Sequence, residues 1–89
     1  MKAARTTGKF DKDIRLSARH GKSMSKLETV ITLLRKEQNL PARCRPHKLS
    51  GDYEGYWECH IEPDWLLIYE MSPGEIVLIR LGTHSDLFD

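Results

Sequence analysis

The fold is decided by residues 53–81, which have the sequence YEGYWECHIEPDWLLIYEMSPGEIVLIRL. Three runs rich in aromatic and β-branched residues predict three strands: Tyr53–Ile61, Trp65–Met71 and Ile76–Leu81. The linkers Glu62-Pro63-Asp64 and Ser72-Pro73-Gly74-Glu75 each contain a proline at a position that favours a tight turn. Because both turns are short, we expect the three strands to be antiparallel neighbours.

The turn lengths also predict a register, in which Ile61 lies opposite Leu66 and Leu67 lies opposite Arg80. Directly opposed residues share a face of a sheet. One face is then apolar and should pack under the helices: Trp57, Cys59, Ile61, Leu66, Ile68, Val77, Ile79 and Leu81. The other face is more polar and contains Tyr56, Glu58, His60, Trp65, Leu67, Tyr69, Leu78 and Arg80.

Two helices are predicted before the strands. Between Lys9 and His20, apolar residues recur with helical spacing, namely Phe10, Ile14 and Ala18. A capping box, Ser25-Lys26-Leu27-Glu28, begins a second helix that ends before Pro41, and its apolar face consists of Leu27, Val30, Ile31 and Leu34. Residues 2–6 suggest an edge strand and residues 41–52 a loop. The predicted class is α+β, with two N-terminal helices on one face of a small, mainly antiparallel sheet in a single domain, 1–89.

Composition excludes several classes of protein. No run of about 18 apolar residues is present, so we expect no membrane partner. The N-terminal residues resemble no signal peptide, and we therefore expect a cytoplasmic protein. Cys44 and Cys59 have no metal-binding spacing and are expected to be reduced thiols, and no cofactor is predicted.

Charge is distributed unevenly along the chain. Residues 1–49 contain 13 Lys and Arg against four Asp and Glu, whereas residues 50–89 contain one Arg against nine acidic residues. A basic half can bind phosphates by releasing their counterions, although helices also carry solvated charges with no partner.

The predicted pairing brings several polar residues to one rim of the sheet. His60, Asp64, Arg80 and His84 should converge there, with Trp65 and Tyr56 nearby and His47 within reach on its loop. Imidazoles, a carboxylate and a guanidinium suit RNA cleavage by the 2′-hydroxyl, which needs a base, an acid and positive charge beside the phosphate. A metal site formed by His60, Asp64 and His84 is the alternative, although these residues lack helical ligand spacing.

Three motifs resemble one known family. They are H-x-L-x-G from His47, G-Y-x-x-x-H-I-E-P-D-W-L-L-I-Y from Gly55, and R-x-G-T-H-x-x-L-F from Arg80. Their order and spacing resemble the YafQ-like branch of the RelE toxin superfamily along the whole chain. The resemblance implies the RelE-like microbial ribonuclease fold.

The resemblance also implies an activity. It would be a type II toxin that cleaves translated messenger RNA on the ribosome without a metal, held inactive by a cognate antitoxin. The family's catalytic residues would then be His47, His60, Asp64, His84 and Phe88.

Within that set, His84 would be the general acid and either Asp64 or His60 the general base. His47 and Arg80 would contact the phosphate. Phe88 would support His84 or the substrate base. Further substrate contacts are expected from Trp65, Tyr56, Lys48 and Arg45. Two alternatives remain open: a degenerate toxin that binds RNA or ribosomes without cleavage, and a protein that serves mainly to bind its antitoxin.

Overall fold

The structure is a computed structural model that describes residues 1–88. The strands are β1 (Ala3–Thr6), β2 (His47–Lys48), β3 (Trp57–Glu62), β4 (Trp65–Ser72) and β5 (Glu75–Gly82). The helices are α1 (Gly8–Arg19), α2 (Met24–Arg35) and α3 (His84–Phe88), and single 3₁₀ turns cover Ala42–Cys44 and Gly51–Tyr53.

The strands form one sheet in the order β1-β5-β4-β3-β2. Only β1 is parallel to its neighbour, β5, and the other three pairings are antiparallel. Side chains of α1 and α2 form the main core with one face of the sheet. This arrangement confirms the predicted α+β class with two N-terminal helices on one face of a mainly antiparallel sheet.

Side-chain caps fix where the two long helices begin. The Thr7 hydroxyl accepts a hydrogen bond from the Phe10 amide at 3.0 Å, and the Ser23 hydroxyl accepts one from the Lys26 amide at 3.3 Å. Each bond satisfies an amide that has no partner within its helix. The predicted start of α2 at Ser25 is therefore wrong by two residues, because Ser23 is the capping residue. In α1, Phe10 and Ile14 pack in the core as predicted, but Ser17 is buried in place of Ala18.

A β-bulge between β3 and β4 overturns the predicted register. Glu62 pairs with Trp65 as expected, but His60 pairs with Leu66 because the register shifts between His60 and Glu62. A bulge inserts one extra residue into one strand, which exchanges the two faces of the partner strand beyond it. Trp65, Leu67 and Tyr69 consequently join the helix-covered core, and Leu66 and Ile68 lie on the opposite face.

A second irregularity lies between Ile68 and Tyr69, so that Tyr69 pairs with Leu78 while Ile68 pairs with Arg80. Leu78 and Leu81 are both in the main core, whereas Ile79 packs on the opposite face with Leu66 and Ile68. The predicted assignment of Leu81 was therefore right, and those of Ile79 and Leu78 were wrong. Cys44 and Cys59 are both buried free thiols.

No helix within residues 1–88 is both long enough and apolar enough to cross a membrane.

Candidate active site

Three histidines from three different elements form a row on the sheet face that α1 and α2 leave open. His47 lies on β2, His60 on β3 and His84 at the start of α3. The ring centroids of His47 and His60 are 6.4 Å apart, and those of His60 and His84 are 5.8 Å apart. The structure thus brings together the three imidazoles that the sequence analysis selected.

Asp64, in the turn between β3 and β4, holds His84 through two contacts. Its Oδ1 atom accepts a hydrogen bond from the His84 backbone N–H at 2.9 Å and lies 2.6 Å from His84 Nδ1. Because the carboxylate only accepts, Nδ1 carries the proton in this contact and Nε2 is the ring nitrogen directed away from Asp64. This carboxylate therefore fixes both the position and the tautomer of the imidazole.

These contacts lower the pKa of Asp64. The backbone N–H of His84 contributes most, followed by the hydrogen bond to the His84 ring. Both interactions favour the charged carboxylate over the neutral acid. Asp64 is consequently ionised at neutral pH and is a weak proton acceptor.

The α3 helix that carries His84 begins with a reciprocal pair of hydrogen bonds. The Asp86 amide donates to the Thr83 hydroxyl at 3.1 Å, and the Thr83 amide donates to the Asp86 carboxylate at 3.1 Å. A Cβ on Gly82 would lie 3.0 Å from two side-chain atoms of Asp86, so glycine leaves room for this cap. The sequence Thr83-x-x-Asp86 is a capping-box signal, and the sequence analysis overlooked this helix.

Glu58 is a site residue that the sequence analysis did not select. Its side chain is nearly buried, and Oε1 lies 3.2 Å from His47 Nε2 and 3.8 Å from His60 Nε2. The other oxygen, Oε2, is buried and has no hydrogen-bond partner among the described residues. Glu58 could have been identified from its position two residues before His60 in the same strand, which places the two side chains on one face.

His47 is held from two sides. Nδ1 lies 2.8 Å from the Arg45 carbonyl oxygen, and Nε2 faces the Glu58 carboxylate. Both neighbours are acceptors, and only the imidazolium has an N–H for each of them. The two contacts fix the orientation of the His47 ring.

Phe88 closes the row at the end of α3. Its ring centroid is 6.3 Å from that of His84 and 5.7 Å from that of Tyr53, which meets it edge-on. The side chain remains 46% exposed although it is aromatic. An exposed ring of this kind can stack on another planar group.

Trp65 does not lie at the site, and the prediction that it contacts substrate was wrong. The side chain is 0% exposed, and Nε1 donates to the Ser17 hydroxyl of α1 at 3.1 Å. The cause is the bulge after His60, which turns Trp65 into the helix-covered core.

Arg80 lies on the expected face, but its charge is already paired. The guanidinium binds both oxygens of Asp13 on α1, at 2.7 and 3.2 Å, and lies 3.4 Å from the Tyr53 hydroxyl. The bonds to Asp13 raise the pKa of Arg80. The partner of Arg80 on α1 was not predicted, and Tyr53 connects the guanidinium to Phe88 and so to the end of the histidine row.

The other three residues predicted to contact substrate, Lys48, Tyr56 and Arg45, lie in different parts of the structure. Lys48 pairs with Trp57 in the sheet, and its ammonium lies 5.7 Å from the centre of the Trp57 ring, which contacts the helix-covered core. Alternation along β2 thus directs Lys48 to the face opposite His47, where no contact to the histidine row is formed among the described residues. Tyr56 packs against the smaller core on the open face, and Arg45 lines a cavity beside His60.

The side-chain geometry bears on the alternative of a metal centre at His60, Asp64 and His84. Among residues 1–88, no three His, Cys, Asp or Glu side chains are arranged to hold a metal ion. Asp64 instead binds His84 directly, so the set of His60, Asp64 and His84 does not form a ligand cage.

Known proteins resemble the chain along its length. Residues 2–89 match the family described as the YafQ bacterial toxin of type II toxin-antitoxin systems. The mRNA interferase toxin YafQ of Escherichia coli K12 is 40% identical over 83 residues, which cover 92% of this chain and 90% of the relative.

Two solved structures share the fold. The E. coli DinJ-YafQ toxin-antitoxin complex contains a chain with 37% identity and a TM-score of 0.90, covering 99% of this chain and 98% of that one. A metal-bound toxin from Helicobacter pylori has 37% identity and a TM-score of 0.93, covering 99% and 100% of the two chains. With this match along nearly its whole length, the chain belongs to the YafQ family of bacterial toxins of type II toxin-antitoxin systems.

Proposed function

We propose that the chain is a ribosome-dependent endoribonuclease that cleaves translated messenger RNA by acid-base catalysis without a metal ion. One observation carries the proposal: Asp64 holds His84 through its backbone and ring, while a second imidazole, His60, lies 5.8 Å away. Two imidazoles at this spacing can serve the two sides of one phosphodiester. The cleavage activity is in keeping with the name of the related mRNA interferase toxin.

The proposed reaction uses the RNA's own 2′-hydroxyl. His60 takes the proton of that hydroxyl, and the oxygen attacks the adjacent phosphorus to form a 2′,3′-cyclic phosphate. The bond from phosphorus to the 5′-oxygen breaks, and His84 Nε2 donates a proton to that leaving oxygen. Imidazole suits both tasks because its two forms coexist near neutral pH. Asp64 remains charged throughout and stabilises the protonated His84.

Positive charge beside the phosphate is the second requirement of the reaction. His47, between the Arg45 carbonyl and the Glu58 carboxylate, is suited to carry that charge. A preorganised cation stabilises the additional negative charge on the phosphorane oxygens. We assign Phe88 to stacking on the base next to the cleaved bond, because it is exposed and adjoins His84.

We further propose that the basic N-terminal half contacts ribosomal RNA in the cytoplasm, and that a cognate antitoxin blocks the toxin. The charge asymmetry supports the first point, since 13 of the 14 Lys and Arg lie within residues 1–49. The related DinJ-YafQ complex supports the second.

The experiment is single-turnover cleavage of a message on programmed ribosomes by wild type and His84→Gln. The amide keeps hydrogen-bonding capacity but cannot donate a proton as an acid, so we expect the rate to fall by about 10²- to 10⁴-fold. Ribosome binding and thermal stability should be unchanged. A folded, bound variant that cleaves at the wild-type rate would contradict the assignment. Wild type that binds but never cleaves would instead favour a non-cleaving binding module.

Metal independence has a separate test. We expect the wild-type rate to persist when metal-free toxin is assayed with ribosomes whose Mg²⁺ is kept constant and whose trace transition metals are removed by a chelator selective for them. Loss of cleavage that zinc or copper restores would reject the metal-free mechanism. Because a related toxin was solved with a metal bound, an inhibitory effect of added metal should be recorded separately.

A further inference from the structure

We propose that a basic cavity beside His60 binds the phosphate of a nucleotide adjacent to the cleaved one. The cavity has a volume of about 340 Å³ and opens between the first half of α2, the 3₁₀ turn Ala42–Cys44 and the end of β3. Lys26, Arg43 and Arg45 contribute its cationic lining, and His60 forms part of the same wall. The inference rests on the proposed function, because it concerns how that site holds RNA.

The cations differ in how much charge they offer. Lys26 lies 3.1 Å from the Glu62 carboxylate, which also lines the cavity and pairs with Lys22. Arg43 and Arg45 are exposed, and within residues 1–88 neither guanidinium makes a hydrogen bond or ion pair. Two unpaired guanidinium groups therefore remain for an anion. Their planar N–H groups match two phosphate oxygens at once.

The backbone connects this cavity to the row of histidines. Arg45 has a left-handed conformation, with φ 47° and ψ 56°, which is uncommon for a residue other than glycine. In this conformation its carbonyl oxygen lies 2.8 Å from His47 Nδ1 while its side chain lines the cavity. One residue thus orients an imidazole and contributes a cation to the neighbouring cavity. Uncommon backbone conformations persist where the surrounding structure enforces them, and they concentrate at functional sites.

The cavity is better suited to RNA than to an acidic peptide. It shares His60 with the proposed reaction site, so a chain whose scissile phosphate lies at the histidines continues directly into it. Pro63, which is exposed, adds an apolar surface that a ribose can cover. Its volume suits one nucleotide unit, whereas an acidic tail would need an extended basic groove.

The test compares two RNA probes that cannot be cleaved because every 2′-hydroxyl is methylated: a uridine dinucleotide with one phosphate and a trinucleotide with two. Binding is measured by NMR titration of the full chain at several salt concentrations. For wild type we expect the trinucleotide to bind about tenfold more tightly, which is the effect of one added hydrogen-bonded charge pair. Its affinity should also depend more steeply on salt, by about 0.7 in the logarithmic slope.

Arg43→Ala should abolish the gain from the second phosphate and leave dinucleotide binding unchanged, and Arg43→Lys should restore part of it. The matched control is Arg15→Ala, which removes the same exposed charge from α1, an element that packs on β5 rather than beside the cavity. Equal binding of the two probes by wild type would overturn the proposal. So would an equal loss of trinucleotide affinity in Arg43→Ala and in the control Arg15→Ala.

The alternative occupant, an acidic peptide, is tested by titration with hexaglutamate. If it binds to wild type in an Arg43-dependent manner while the trinucleotide gain does not depend on Arg43, the cavity is a peptide site and the proposal is wrong. None of these measurements requires cleavage. Failure of wild type to cleave on ribosomes would therefore reject the proposed function while the binding comparison could still succeed.

Discussion

The two faces of the sheet are built from the same strands and differ in what their residues do. On the helix-covered face, Trp65, Leu67 and Ile76 are completely buried under α1 and α2. The open face has only a small core around Leu66 and Ile68, next to which the histidines and Glu58 are arranged. Alternation along a strand thus lets one segment supply packing to one face and the polar side chains of the candidate site to the other. Changes to the two faces should therefore have separable effects.

The largest effect is expected from Trp65→Ala on the helix-covered face. Truncating this fully buried ring should lower the free energy of unfolding by about 3–5 kcal/mol, because a cavity remains and the Ser17 hydroxyl loses its donor. Urea denaturation measures the loss. Under conditions where the variant is folded, its cleavage rate should match wild type. A specific loss of cleavage would show that the two faces are not separable.

Glu58→Gln should have the opposite pattern. An amide removes the charge that lies 3.2 Å from His47 Nε2 and 3.8 Å from His60 Nε2. We expect single-turnover cleavage to fall on the order of ten- to a hundredfold. Stability should change by less than about 1 kcal/mol, because the change removes a buried carboxylate with an unsatisfied oxygen. A large loss of stability with full activity would assign Glu58 to folding instead.

A pH titration by NMR measures how much each of the two contacts to His84 lowers the pKa of Asp64. Its pKa lies below the ordinary value in the folded protein, so its contacts stabilise the fold above the ordinary carboxyl pKa, and this contribution is lost as pH falls through the lowered pKa. In His84→Ala the ring contact disappears but the backbone N–H remains. NMR should therefore find that the Asp64 pKa rises only part of the way to its ordinary value. A full return would mean that the backbone bond does not form.

The smallest effect is expected for Lys48→Ala, next to His47 in sequence but directed toward Trp57. Exposed substitutions of this kind typically change stability by less than about 0.5 kcal/mol. Cleavage by the variant should remain within a fewfold of wild type. If cleavage falls as far as it does in Glu58→Gln, Lys48 reaches the substrate despite its position.

The sequence predicted the element types better than the pairing between strands. Predicted and observed limits of β4 and β5 agree within one residue at each end. The register failed because Trp65-Leu66-Leu67-Ile68-Tyr69 is apolar at every position, so either face satisfies the hydrophobic pattern. Only the bulge between His60 and Glu62 decides which residues of β4 face the helices, and no sequence pattern here predicts that bulge. At two residues, β2 was too short to be recognised.

The candidate site was predicted in part. His47, His60 and His84 were selected from the motifs and the expected meeting of strand ends, and the structure places them in one row. Trp65 was placed on the wrong face because of the bulge, and the pairing of Arg80 with Asp13 of α1 was not predicted. A pairing across 67 residues of sequence has no local pattern from which it could be read.

The single extra residue in β3 also limits how this hairpin can evolve. Surface turns generally accept insertions and deletions, since added length changes loop entropy little. Here, removing one residue between His60 and Asp64 would erase the bulge and turn β4 over, exposing the Trp65 indole and burying side chains that now face the open side. Substitutions can accumulate in this hairpin one at a time, but its length cannot change by one residue. We therefore expect a deep insertion-and-deletion scan to find this turn among the least tolerant surface positions of the chain.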